Sequence, residues 1–110
     1  MMKIGELYRR DGVWNGQQIV SSAWIHQCTS PSTSKTRIGG PSDGEYGLLW
    51  WIIRKPKQAG YYALGLGGQL TVVLPKSRAV IVCLSEQPDS EIDGKDLKPL
   101  DNVLISAFPL

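Results

Sequence analysis

The sequence predicts an α+β domain: a small antiparallel sheet of three to four strands, with a C-terminal helix on one face and short N-terminal helices on the other. Three observations carry this. Residues 46–53, 61–66, 69–74 and 79–84 are short apolar runs separated by turn-forming residues, which is the pattern of strands. The connections between them are brief, and brief connections join antiparallel neighbours. Both ends of the chain instead space their apolar residues at helical intervals.

Met1, Ile4, Leu7 and Tyr8 form the first such stripe, while Lys3, Glu6, Arg9 and Arg10 face away, so the chain opens with an amphipathic helix. Asp11 and Gly12 stop it. Val13-Trp14 and residues 17–20 flank Asn15-Gly16, a pair suited to the positive backbone angles of a type I′ turn, and a small hairpin follows. Ser21 or Ser22 offers an N-cap to a second helix containing Ala23, Trp24, Ile25 and Cys28. Residues 29–44 are rich in Ser, Thr, Gly and Pro with one isolated apolar residue, Ile38. They bury too little surface to offset the entropy of ordering them, and a flexible loop is expected.

Within the sheet, residues 48–53 and 79–84 are almost continuously apolar, which predicts burial on both faces. Trp50 and Trp51 point to opposite faces of an extended strand; both are expected in the core, though either could line a pocket. Pro99 suits the first turn of a helix whose stripe is Leu100, Val103, Leu104, Ala107 and Phe108.

A chain of 110 residues is one domain by length. The net charge of +2 is scattered over the chain, whereas a nucleic-acid surface concentrates its basic residues, so no nucleic-acid partner is expected. No apolar run reaches the length of a membrane span, and the charged start MMKIGELYRR does not read as a signal peptide; no membrane association is expected. Cys28 and Cys83 are read as ordinary buried thiols, and two cysteines with the single His26 make a poor zinc set, so no metal or cofactor is expected.

Residues 61–75, YYALGLGGQLTVVLP, are the centre of the chain. Gly65, Gly67 and Gly68 fall within four residues between two strand patterns, which implies either a plain hairpin turn or a backbone that a ligand must approach closely. Taken with Tyr46-Gly47-Leu48-Leu49-Trp50-Trp51 before it, and with the runs 2–8, 11–16 and 19–25, this stretch resembles the C-terminal part of the serine β-lactamase and penicillin-binding-protein superfamily. The branch it is most similar to is the class C β-lactamase-related serine hydrolases, esterases and amide hydrolases.

The resemblance implies a substrate-wall site at Leu66, Gly67, Gly68 and Gln69, where superfamily members carry Lys-Thr-Gly or His-Gly-Gly. Gly67 and Gly68 would leave room for substrate, and the backbone N–H of Gln69 or a neighbour would serve the oxyanion hole. Leu66 departs from the pattern, since leucine neither donates a hydrogen bond nor carries charge. The superfamily's other two parts, a Ser-x-x-Lys helix and a Tyr-x-Asn loop, find no match in a suitable setting. Ser32 and Lys35 have the Ser-x-x-Lys spacing, but they follow Pro31 in a loop without helical periodicity. None of Tyr8, Tyr46, Tyr61 and Tyr62 has asparagine two residues on, and His26 is a lone base read as a helix-surface residue.

Three functions follow as expectations. The first is a C-terminal hydrolase segment, inactive alone, with no catalytic residue of its own; the second is a non-catalytic binding or assembly module derived from that fold; the third is an autonomous hydrolase using Ser32 and Lys35. The expected partner is either the N-terminal catalytic half or a second copy joined through the uncharged edge of residues 79–84.

Overall fold

A computed structural model describes residues 1–32, 45–55, 58–65 and 69–84. The first helix, α1 (Met2–Arg9), ends as the chain turns at Asp11 and Gly12, whose N–H groups donate to the carbonyls of Tyr8 and Leu7. Gly12 has φ +83° and sits under the Val20 carbonyl with no room for a side chain. Strands β1 (Val13–Trp14) and β2 (Gln17–Gln18) form the predicted small hairpin, and Asn15 and Gly16 take φ values of 49° and 77°, as a type I′ turn requires. Helix α2 (Ser22–Cys28) is capped by Ser21, whose hydroxyl accepts from the Trp24 N–H at 3.2 Å.

Among the described residues the main sheet has five strands, not three to four: β3 (Glu45–Tyr46), β4 (Trp51–Lys55), β5 (Gln58–Gly65), β6 (Gln69–Leu74) and β7 (Ala79–Cys83), antiparallel throughout and adjacent in chain order. The extra strand arises because the apolar run 46–53 is broken. Gly47 donates to the Trp50 carbonyl at 2.7 Å, Leu48 donates to the Cys28 carbonyl at 2.9 Å, and Leu49 takes φ 67°. Gly47 permits this because its α-carbon lies hard against the Cys28 carbonyl, where a side chain would collide.

Two apolar clusters cover the two faces of the sheet. Trp50, Tyr61, Val73 and Cys28 form one, with Tyr8, Leu48, Ile52 and Ala63 packed against it, so both described helices lie on this face. Trp51, Ile53, Tyr62, Leu70, Val72 and Leu74 form the other, joined by Tyr46, Ala79, Ile81 and Cys83. Trp50, at the end of the turn that Gly47 begins, and Trp51, which opens β4, are therefore both core residues, on opposite faces of the sheet.

The expected two-face burial of residues 79–84 is not observed. All five residues of β7 are half-buried and Leu84 is exposed, because β7 is the outermost of the described strands and has a described neighbour on one side only. Leu49 is likewise exposed, on the turn rather than in a strand. Thr29, Ser30 and Ser32, the start of the expected loop, are each hydrogen-bonded; residues 33–44 and the C-terminal stripe 99–108 lie outside the described residues.

Candidate functional site

The β5–β6 hairpin is the scaffold of the sequence-predicted site. Its register runs Tyr61 with Val73, Tyr62 with Val72, Ala63 with Thr71, Leu64 with Leu70 and Gly65 with Gln69. The pairing closes on Gly65 and Gln69, which leaves residues 66–68 as a three-residue connection. Leu66, Gly67 and Gly68 themselves lie outside the described residues. Gln69 opens β6 at the exposed end of the sheet, and its side chain folds over Gly65, where an added β-carbon would meet Gln69 Oε1 at 2.9 Å. The anchoring below it is firm, since Thr71, Val72, Val73 and Leu74 are all buried.

Among the described residues, chemistry-bearing side chains elsewhere do not converge on this hairpin. Ser32 donates its hydroxyl to the Gly47 carbonyl at 3.3 Å and its N–H to the Tyr46 carbonyl at 3.0 Å. It therefore flanks β3, and with β3, β4 and β5 intervening before β6 the separation is roughly 19 Å at the usual strand spacing. Lys35 lies outside the described residues. His26 is on the exposed surface of α2, 3.9 Å from Asp11 Oδ1. Among the described residues, no three of His, Cys, Asp and Glu gather as a metal would require, and no helix is long and apolar enough to cross a membrane.

One buried group of titratable side chains was not anticipated from the sequence. Tyr8 reaches down from α1 to place its ring 4.7 Å from Trp50 and 6.3 Å from Tyr61, and Trp50 meets Tyr61 edge-on at 5.1 Å. Burial pushes the Tyr8 phenol above its ordinary value, opposed by a hydrogen bond from Trp50 and reinforced by Cys28. Burial also raises Tyr61, helped by the negative charge of Asp11. Tyr8 was legible as part of a helical stripe; its partners, Trp50 just before β4 and Tyr61 on β5, are set by tertiary packing. The thiols of Cys28 and Cys83 are free, the first buried and the second half-buried.

On the same helix, the half-buried Glu6 accepts from Arg9 Nε at 2.7 Å and Arg9 Nη2 at 2.6 Å, and from Arg10 Nε at 2.5 Å. The Arg9 hydrogen bonds, more than any other contact, hold the Glu6 carboxyl down at about 2.

No family model matches the sequence, and no curated protein does. Among solved structures, one from Bacillus anthracis, provisionally named a 6-aminohexanoate-dimer hydrolase, superposes with a TM-score of 0.62 at 22% identity. The match covers 98% of this chain and 29% of that one. The chain thus has the α+β fold of a part of that structure and spans less than a third of its length.

Proposed function

We propose that the chain is the C-terminal segment of a β-lactamase-related serine hydrolase, where it supplies the glycine-rich strand of the substrate cleft and is catalytically inactive alone. The observation that supports this most is the β5–β6 register: two inner strands of the matched fold end on Gly65 and Gln69, with Leu66, Gly67 and Gly68 between them. Two glycines carry no side chain to obstruct an acyl group, and the N–H of Gln69 or of a neighbour would be the donor to the oxyanion. One such donor contributes roughly 3 kcal/mol to the transition state of acyl transfer. The nucleophile and its base belong to residues outside this chain.

The test is covalent labelling with a fluorophosphonate, read by intact mass. The 110-residue chain is expected to take up no label, whereas the whole reading frame that encodes it, with any upstream residues, is expected to take up one equivalent on a serine outside these residues. In that longer protein, Gly67→Val is expected to slow labelling by tenfold or more while leaving the unfolding midpoint nearly unchanged. Labelling of the isolated chain, lost in Ser32→Ala, would overturn the reading in favour of an autonomous hydrolase. A longer protein that also takes no label would overturn it in favour of a binding module.

A further inference from the structure

No residue from 59 to 74 is charged, so the hairpin that ends on Gly65 and Gln69 is electrically bare along its whole length. Four of its residues have polar side chains. Tyr61, Tyr62 and Thr71 are buried, and Gln69 alone is exposed. Its footing is firm, because Leu70 and Thr71, which follow it, are buried and its backbone is paired with Gly65.

The Gln69 side chain does not simply extend into solvent. Directly opposed residues of antiparallel strands share a face, and the glycine leaves its half of that face empty, so the carboxamide lies across it. A β-carbon built on Gly65 would meet Gln69 Oε1 at 2.9 Å, Gln69 Cβ at 3.5 Å and the Gln69 carbonyl oxygen at 3.7 Å. Oε1 is thus turned toward Gly65 and Nε2 away from it, and Nε2 has no hydrogen-bond partner among the described residues. The face is the one that carries the helices: Gln69 alternates with Thr71 and Val73, and Val73 packs with Trp50, Tyr61 and Cys28. Beside it on β5 the same face holds only half-buried Ala63, so an unused N–H donor stands over a shallow, uncharged floor.

We infer that the Gln69 carboxamide determines specificity, donating from Nε2 to an uncharged carbonyl carried on the acyl group of the ligand and discriminating against a carboxylate at that place. This substrate class rests on the hydrolase reading above; the pose of the carboxamide does not. The backbone N–H lies in the plane of the sheet and the side chain rises off it, so one residue serves two acceptors a few bonds apart in the same acyl group. A carboxylate accepts the same hydrogen bond, but it loses water beside a hairpin that has no positive charge to offset the loss, and for an ion that desolvation is the larger effect. Gly65 contributes by having no side chain. The atom in the way of a methyl there is the end of a flexible side chain, so Gly65→Ala swings the carboxamide aside and leaves the strands in place.

The test uses three activated esters of matched length on the whole reading frame that encodes the chain: p-nitrophenyl methyl glutarate, p-nitrophenyl hemiglutarate and p-nitrophenyl hexanoate. The methyl glutarate, with its second neutral carbonyl, is expected to exceed the hexanoate about fivefold in kcat/KM, the worth of one neutral hydrogen bond. It is expected to exceed the anionic hemiglutarate at least tenfold. Gln69→Leu, which keeps the backbone N–H, and Gly65→Ala are each expected to erase the advantage over the hexanoate, whereas a merely structural defect lowers all three rates and leaves their ratios unchanged. Preference for the hemiglutarate, or ratios that neither variant moves, would overturn the inference while fluorophosphonate labelling still upheld the hydrolase reading. If the longer protein takes no label, that reading falls and binding to the 110-residue chain decides. The Gln69 side-chain amide resonance, assigned by its loss in Gln69→Leu, is then expected to shift with butyramide. No shift, or an equal shift with butyrate, would overturn the inference.

Discussion

Gly5 of α1 lies so close to Val80 of β7 that a β-carbon at residue 5 would meet Val80 Cγ1 at 2.5 Å and Thr71 Cγ2 at 3.2 Å. The helix is a poor place for glycine on intrinsic grounds, so its presence marks the contact that sets how deeply α1 sits on the sheet. Gly5→Ala gains up to about 1 kcal/mol in helix propensity, but the overpacking it forces opposes this with about 1–3 kcal/mol. A net loss of about 1–2 kcal/mol is expected in urea unfolding. Val80→Ala removes the clashing methyls, so the double variant is expected to be more stable than the two single losses would add up to. Strict additivity would mean that α1 does not rest on Val80.

Leu49 holds φ 67° with its side chain 79% exposed, so it endures a left-handed backbone while burying little. A non-glycine residue in that region carries about 1–2 kcal/mol of strain, and glycine's larger entropy loss offsets part of the relief. Leu49→Gly is therefore expected to stabilise the chain by about 0.5–1 kcal/mol, read as a rise in the urea midpoint. A fall would show that the leucine side chain contributes contacts that outweigh the strain.

That same turn shows why part of the fold was hidden in the sequence. Asn15-Gly16 and Ser21 declare their structures locally, through a positive φ pair and a hydroxyl reaching the Trp24 N–H, and both elements were legible. Gly47-Leu48-Leu49-Trp50 contains one glycine among apolar residues and reads as more strand. What turns it is the Cys28 carbonyl on a distant helix, which bonds Leu48 and closes over Gly47. The half-burial of β7 was likewise unreadable, because an apolar strand has the same composition at an edge as at a centre. At the candidate site, the hairpin register around Gln69 follows from the spacing of residues 61–74, whereas the positions of Tyr8 and Ser32 follow from packing between separate elements.

Glu6 makes stability depend on pH in the acid range. Its carboxyl is held at about 2 in the folded chain against an ordinary value of 4.5, so the folded state favours the ionised form. The stabilisation is complete above 4.5 and is lost as pH falls from there toward 2. Because the side chain is partly exposed, solvent screening limits the contribution to about 1 kcal/mol or less, the range of surface ion pairs on a helix. Glu6→Gln is expected to unfold slightly more easily at pH 7 and to match the wild type at pH 2. A difference that persists undiminished at pH 2 would show that the carboxyl acts through packing instead of charge.

Tyr61 makes the complementary prediction at high pH. Its phenol is buried against Trp50 and Tyr8 and also feels the negative charge of Asp11, so the folded chain favours the neutral form and the group ionises well above its ordinary 10.0. An unfolded chain ionises near 10, hence the stability contributed by the buried neutral phenol is intact below pH 10 and declines above it. The slope is about 1.4 kcal/mol per pH unit for each such tyrosine while pH lies between the unfolded and folded values. Tyr8, raised for the same primary reason, adds to the decline. Spectrophotometric titration of native protein is expected to show Tyr61 ionising only as the chain unfolds. Tyr61→Phe keeps the ring contacts, so stability at pH 7 is expected to change by less than about 1 kcal/mol while the alkaline slope becomes shallower. An unchanged slope in that variant would mean that the Tyr61 phenol reaches solvent, and that the packing of Tyr8, Trp50 and Tyr61 is looser than the ring distances require.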